Sequence, residues 1–213
     1  MQENGQEERY PVVSVERMRR SDAYTIAQGT SGKELMYRAA WGIYWAYDGW
    51  ERKKIAVVAG GGNNGGDGYA LACILRQEGY SPTVFALSDR LSEEGRYYRE
   101  LARERGADLR DFTEDTDLSG FDVIVDCLLG TGFRGEVRPQ AANAIRRINI
   151  SGAYVISADI NSGMNGDTGE GDVVVRSDLT VSIGYVKQGL LTEKAKKSIG
   201  RLVNADIGII LVD

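Results

Sequence analysis

The 213 residues carry 26 Lys and Arg against 31 Asp and Glu, a net charge of −5, with 42% hydrophobic residues, three prolines and no histidine. That balance fits one globular α/β domain over 1–213, and it argues against a surface built for nucleic-acid phosphates, because no long basic run offsets the acidity. Without histidine there is no Ser-His-Asp triad, Cys-His pair, HExxH zinc site or histidine base, so proton transfer falls to carboxylates, Lys, Tyr or Cys.

The opening residues MQENGQEERY are polar and acidic rather than basic then apolar, so a short frayed start over about residues 1–10, no signal peptide and a cytoplasmic protein are expected. Ser14 stands where it can cap a helix running through Arg17, Met18 and Ile26 to a stop at Gly29. Ser31-Gly32-Lys33-Glu34 has capping-box spacing before a second helix. In that helix Met36, Ala39, Ala40, Ile43, Tyr47 and Trp50 recur at helical spacing and mark an apolar face. The stretch WGIYWAYDGW has more aromatic surface than one core face requires, which leaves a subunit interface open beside core packing.

From Lys54 onward strands and helices alternate. IAVVA reads as a strand, Asp67 to Gln77 as a helix stopped by Gly79, TVFAL as a strand, and Ser92 to Glu104 as a helix ending at Gly106. FDVIVDCLL is the next strand, Pro139 opens a helix to Ile150, and AYVISADI, DLTVSI and RLVNADIGI are further strands. No apolar stretch approaches the roughly 18 residues of a membrane span, and two cysteines without CxxC spacing give neither a disulfide framework nor a zinc ribbon. The alternation predicts a mostly parallel sheet covered on both faces, with ligands beyond the carboxyl ends of its strands.

Three of those ends carry unusual residues: Gly60 to Gly68 (GGGNNGGDG), Asp126 to Gly135 (DCLLGTGFRG) and Asp159 to Gly163 (DINSG). In a parallel sheet they meet at one edge. Gly60-x-Gly62-x-x-Gly65 is formally a dinucleotide pattern, with Asp89 near the place of a ribose-binding acid, but it lacks the Gly-Lys-Ser/Thr of a phosphate loop. Asp67 beside a pyrophosphate would repel it, which points away from plain phosphate cradling.

Asn63 and Asn64 suit either left-handed turn geometry or a ligand, Asn64 favouring the ligand. Asp126 and Asp159 each close an apolar strand, where a carboxylate is costly unless it caps a turn, is paired or meets a cation. With Ser162, the groups Asn64 and Asp126 offer only oxygen, and with so few carboxylates this suits a hard, monovalent cation better than zinc. Gly130-Thr131-Gly132-Phe133-Arg134-Gly135 offers backbone N–H groups and a guanidinium to phosphate. Arg134 reads equally as a solvated charge, and Lys187 reads foremost as one.

VVAGGGNNGGDGYALACIL, VDCLLGTGFRGEVRP and ADINSG, in this order and spacing, resemble the YjeF N-terminal domain family, whose characterised members are NAD(P)HX epimerases. KELMYRAAWG resembles the family's Leu-Met-Glu-Arg-Ala-Gly helix and DLTVSIGYVKQGLL its late strand and turn, so the likeness covers nearly the whole chain. Four positions depart from the family pattern: Tyr37 stands for its Glu, Ala40 for its Gly, Gly61 for a Pro and Asn161 for another Pro.

The resemblance implies a three-layer αβα, Rossmann-like sandwich, commonly a homodimer, and a substrate that is NADH or NADPH hydrated at nicotinamide carbon 6. It implies one potassium ion on Asn64, Asp126 and Ser162. It also implies substrate contacts on Asn63, Asn64, Gly65, Gly66 and Asp67, on Gly130, Thr131, Gly132, Phe133, Arg134, Gly135 and Glu136, and on Asp159. Catalysis is expected from Asp159 as acid and base, with Asp126 adding electrostatics. The dehydratase domain fused to many bacterial members is expected to be absent, leaving a separate dehydratase as functional partner. Two other classes are a nicotinamide-dependent oxidoreductase, against which Asp67 speaks, and a binding module on the same fold, for which the change at Tyr37 is the one hint.

Overall fold

In the computed structural model, which describes residues 11–51 and 53–213, two capped helices lead into the sheet. A short strand β1 (Val12–Val13) comes first. Ser14 then accepts a hydrogen bond from the Arg17 N–H at 3.1 Å and opens α1 (Val15–Ala27). Ser31 accepts one from the Glu34 N–H at 3.1 Å and opens α2 (Gly32–Trp45). Each satisfies a donor that a first helical turn leaves orphaned, worth about 1 kcal/mol. The start expected to fray, residues 1–10, lies outside the described residues.

Met36, Ala39, Ala40 and Ile43 are buried, as the spacing of α2 implies. The helix ends at Trp45, however, so Tyr47 and Trp50 stand beyond it rather than on its face. Trp50 still reaches the core: its indole N–H donates to the Tyr44 carbonyl at 3.0 Å and its ring stacks on Tyr44.

The strands are β2 (Ile55–Ala59), β3 (Thr83–Ala86), β4 (Asp108–Asp111), β5 (Val123–Cys127), β6 (Tyr154–Ala158), β7 (Ser177–Ile183), β8 (Val186–Lys187) and β9 (Ile199–Ala205). Between them lie α3 (Asn63–Gln77), α4 (Glu93–Glu104) and α5 (Pro139–Ile150). Seven strands form one sheet in the order β4-β3-β2-β5-β6-β7-β9, and all of its ladders are parallel.

Alternate side chains of each strand point to opposite faces. Ile55, Val57, Ala59, Val125, Cys127 and Ile156 pack with α2 and α3, and Tyr98 and Ala102 of α4 join them. Ala56, Val58, Ile124 and Val155 pack with Ala144, Ile145 and Ile148 of α5. Helices on both faces make the three-layer αβα arrangement expected from the alternation, and burial of each large aliphatic side chain contributes about 1.5–3 kcal/mol.

Three features escape the sequence pattern. DLRD forms β4 at the sheet edge with mostly exposed, polar side chains, so it has no apolar signature. The two-residue strands β1 and β8 pair in parallel with each other and are too short to show a period. The third is a correction: α3 starts at Asn63, not Asp67, so Asn-Asn-Gly-Gly is its opening turn rather than loop, and Asp67 follows in the second. Glycine disfavours helix, and here packing overrides that preference.

Candidate active site

Strand order reverses between β2 and β5: the chain runs from β2 outward to β3 and β4, then returns to β5 on the other side. Such a switch point opens a crevice at the carboxyl ends of the strands, and the three unusual segments meet there. Close approach explains the glycines. A Cβ on Gly60 would lie 1.9 Å from the Leu128 carbonyl oxygen, and one on Gly65 would lie 2.0 Å from that of Gly60.

Hydrogen bonds tie the segments together. The Asn64 Nδ2 donates to the Leu129 carbonyl at 3.1 Å, and the Leu129 N–H donates to Ser162 Oγ at 2.9 Å. Asp126 has no exposed surface and accepts four donors: Ser162 Oγ at 2.5 Å and Leu128 N–H at 3.3 Å on one oxygen, Ser157 Oγ and Ser162 N–H, each at 2.9 Å, on the other. Burial pushes its carboxyl above the usual range, and those hydrogen bonds oppose the shift.

The buried Asn64 Oδ1 has no hydrogen-bond partner. Leaving such an acceptor dry costs about 1–3 kcal/mol, so an all-oxygen donor set of Asn64, Asp126 and Ser162 fits a hard cation in that the Asn64 oxygen is free. Among the described residues no cluster of three or more Cys, Asp or Glu is arranged for a metal. One carboxylate among neutral oxygens suits a monovalent ion.

Asp159 is the one residue other than glycine with a positive φ, +66°, among the described residues. Its Oδ2 accepts from the Thr131 N–H at 3.4 Å, and its Oδ1 is ion-paired with the Lys187 ammonium. Lys187 is therefore not the solvated lysine expected: it is 1% exposed and also donates to the Ile183 carbonyl at 2.6 Å. Its place follows from β8, which pairs with β1 and turns the side chain inward. A two-residue strand gives no sequence signal for this.

A cavity of about 590 Å³ opens above these groups. Asn63, Asn64, Asp67, Gly130 to Arg134, Asp159 and Lys187 line it, as do Met18, Arg19 and Asp22 of α1 and Leu35 and Met36 of α2. Gly65 and Gly66 lie buried behind the lining, Gly135 and Glu136 are exposed outside it, and Asp126 and Ser162 sit beneath it. Asp89 turns away to pair with Arg99 at 2.7 Å, so it is not placed as a ribose-binding acid.

Asp67 sits in the second turn of α3, and burial, reinforced by the charges of Asp159 and Asp22, holds its carboxyl well above the usual range. Burial, then the charge of Asp159, raises Asp22 to about 6 against the opposing pull of Lys187. No motif pointed to Asp22.

The family model for the YjeF-related protein N-terminus matches residues 32–189. The chain belongs to this family. It is 35% identical over 195 residues to the NAD(P)H-hydrate epimerase of Oenococcus oeni, covering 88% of this chain and 92% of that one. It is 40% identical over 166 residues to the bifunctional NAD(P)H-hydrate repair enzyme Nnr of Pyrobaculum aerophilum, covering 74% of this chain. The match spans only about a third of that relative's length, 33%. The crystal structure of yeast ynu0 shares the fold with a TM-score of 0.74 at 23% identity, over 91% of this chain and 87% of that one.

Three of the four departures from the YjeF pattern have defined surroundings here. Asn161 is fully buried: Nδ2 serves Val175 O, Ser177 Oγ and Ser198 O at 2.9 to 3.0 Å, and Oδ1 accepts from Thr180 at 2.7 Å. It pins the segment after β6 to β7 and to Ser198, the residue before β9. A Cβ on Gly61 would lie 2.5 Å from the Arg90 carbonyl, so a proline there would force the loop to shift. Tyr37 stacks on Tyr98 and meets Trp41 edge-on, outside the cavity lining.

Proposed function

We propose that this member of the YjeF family is an NAD(P)H-hydrate epimerase, an isomerase that interconverts the R and S forms of NADH or NADPH hydrated at nicotinamide carbon 6. The observation that carries the reading is Asp159, held by a buried lysine in a cavity walled by both glycine-rich segments of the family. The names of relatives that match nearly end to end support the same chemistry.

Carbon 6 of the hydrate bears a hydroxyl next to the ring nitrogen. Protonation of the hydroxyl lets the nitrogen lone pair expel water, giving a planar cation, and water entering the other face gives the other epimer. Asp159 moves the proton at its Oδ2 or Oδ1, while Lys187 fixes the carboxylate against the Thr131 N–H. The first turn of α3 and Gly130 to Arg134 hold the nucleotide, with N–H groups free at the helix start for phosphate. Gly135 and Glu136 complete that loop at its exposed end.

A potassium ion on Asn64, Asp126 and Ser162 belongs to the proposal. When bound, it supplies fixed positive charge that stabilises anionic groups nearby. A homodimer is also proposed, supported by Trp45, which is 73% exposed beside the outer strand β9 and a groove of about 510 Å³. The expected setting is the cytoplasm, with a separate dehydratase consuming one epimer and neither nucleic acid nor membrane as partner. No described helix is long and apolar enough to cross a membrane. The test supplies purified protein with one epimer and follows the other by chromatography. Equilibration far above the spontaneous rate supports the epimerase, and folded protein without acceleration contradicts it.

A further inference from the structure

Epimerisation through a planar cation has a stereochemical demand. The hydroxyl leaves from one face of the ring and water enters from the other, so one group must deliver a proton and a second must remove one. A single carboxyl fixed in place serves one face. Asp159 is so fixed, by its left-handed backbone, the Thr131 N–H and Lys187.

The second group is to be sought on another wall. The helix α1 supplies one: Val15, Met18, Arg19, Asp22 and Ile26 all line the cavity. Both ends of this helix are tied down. The Val15 N–H donates to Asp167 at 2.8 Å, Arg17 Nε donates to the Val212 carbonyl at 2.8 Å, and Thr25 Oγ1 accepts from the Ile210 N–H at 2.9 Å. Among the described residues no hydrogen bond or ion pair engages the Asp22 carboxyl, so the fold gives it no structural partner.

We propose that Asp22 is the second proton carrier, serving the ring face opposite Asp159. The assignment rests on the epimerase reading above. It adds a residue from α1, outside the segment 32–189 matched by the family model. The charged groups facing the same cavity are Arg19 on its own helix, Asp67 on α3, Glu94 on α4, Arg134 after β5, Asp159 after β6 and Lys187 of β8. With its carboxyl raised to about 6, Asp22 exchanges protons near neutrality, where a general acid works best. Asp67 lies on α3, the helix that carries the first glycine-rich segment, and burial holds its carboxyl well above the usual range.

In one direction Asp22 donates its proton to the hydroxyl on carbon 6. The carbon–oxygen bond breaks, its electron pair leaves with water, and the nitrogen lone pair forms the carbon–nitrogen double bond. A water on the far face then attacks carbon 6, the double-bond pair returns to nitrogen, and Asp159 takes the proton. The opposite conversion resets both carboxyls, as does proton exchange with solvent.

The experiment supplies each pure epimer of hydrated NADH in ¹⁸O-water and follows both inversion and ¹⁸O incorporation by chromatography with mass detection. For Asp22→Asn, with thermal unfolding as the check of fold, inversion slows by roughly 10²- to 10⁴-fold. One epimer continues to exchange its hydroxyl oxygen with retention, because Asp159 still serves that face. Asp22→Glu recovers part of the inversion. Inversion by Asp22→Asn at the wild-type rate overturns the assignment, and so does equal loss of inversion and retained-face exchange. Wild-type protein that neither inverts nor exchanges overturns the epimerase reading itself, before any variant is compared.

Discussion

The Lys187 ammonium, 1% exposed, is ion-paired with a carboxylate whose own backbone is held at φ +66°, that of Asp159. Both features are costly: a residue other than glycine in that region is strained by about 1–3 kcal/mol, and a buried charge needs its partner. Their coincidence at the cavity wall is what a fixed proton carrier requires. It is not what stability alone would select.

Removing one member of the pair leaves the other charge uncompensated. Lys187→Met and Asp159→Asn are each expected to lower stability by about 3–5 kcal/mol, and the double variant by less than their sum. Urea unfolding of the three variants measures the coupling, and additive losses would contradict a direct pair.

The free Asn64 oxygen predicts cation-dependent stability. At a hundredfold excess over its dissociation constant, a bound ion adds about 2.7 kcal/mol. The unfolding midpoint of the wild type is expected to be higher in potassium than in sodium, and Asn64→Ala to abolish the difference. An unchanged potassium response in Asn64→Ala would remove Asn64 from the cation site.

Asp22 makes a prediction about pH. Its folded-state value of about 6 lies above the ordinary value near 3.9 of an unfolded chain, so the folded state binds the extra proton. Stability therefore falls as pH rises from about 4 to about 6, with a slope approaching one proton from this group. Asp67 and Asp126, also raised, act in the same sense. Asp22→Asn is expected to reduce the slope in that window, as read by thermal midpoints across pH, and an identical slope would show that Asp22 titrates normally.

Gly65→Ala tests the close approach of α3 to β2. The added methyl would sit 2.0 Å from the Gly60 carbonyl oxygen, and overpacking of this kind costs about 1–3 kcal/mol. The first turn of α3 must move, so loss of nucleotide binding is expected with the loss of stability, measured by NADH titration and unfolding. Wild-type behaviour in both would mean that the turn is looser than this contact implies.

The sheet was legible because its central strands are apolar, β-branched and punctuated by glycine. The capped helices were legible too, since Ser14 and Ser31 bond as their spacing implies. The edge strand β4 was not: its side chains face water and carry no hydrophobic pattern. Asn64, Asp126, Asp159 and Ser162 could be gathered at one edge because parallel strands share a carboxyl end. Lys187 and Asp22 could not. Their burial depends on the β1·β8 ladder and on where α1 settles, contacts between residues far apart in sequence.

The most direct measurement follows one pure epimer of hydrated NADH by NMR with wild-type protein and Asp159→Asn in parallel, both confirmed as folded. Rapid equilibration by the wild type, and a rate at least about 10²-fold lower with the variant, is the expected result. Equal rates with the two proteins would contradict the assignment of Asp159, and a wild type no faster than buffer would contradict the epimerase.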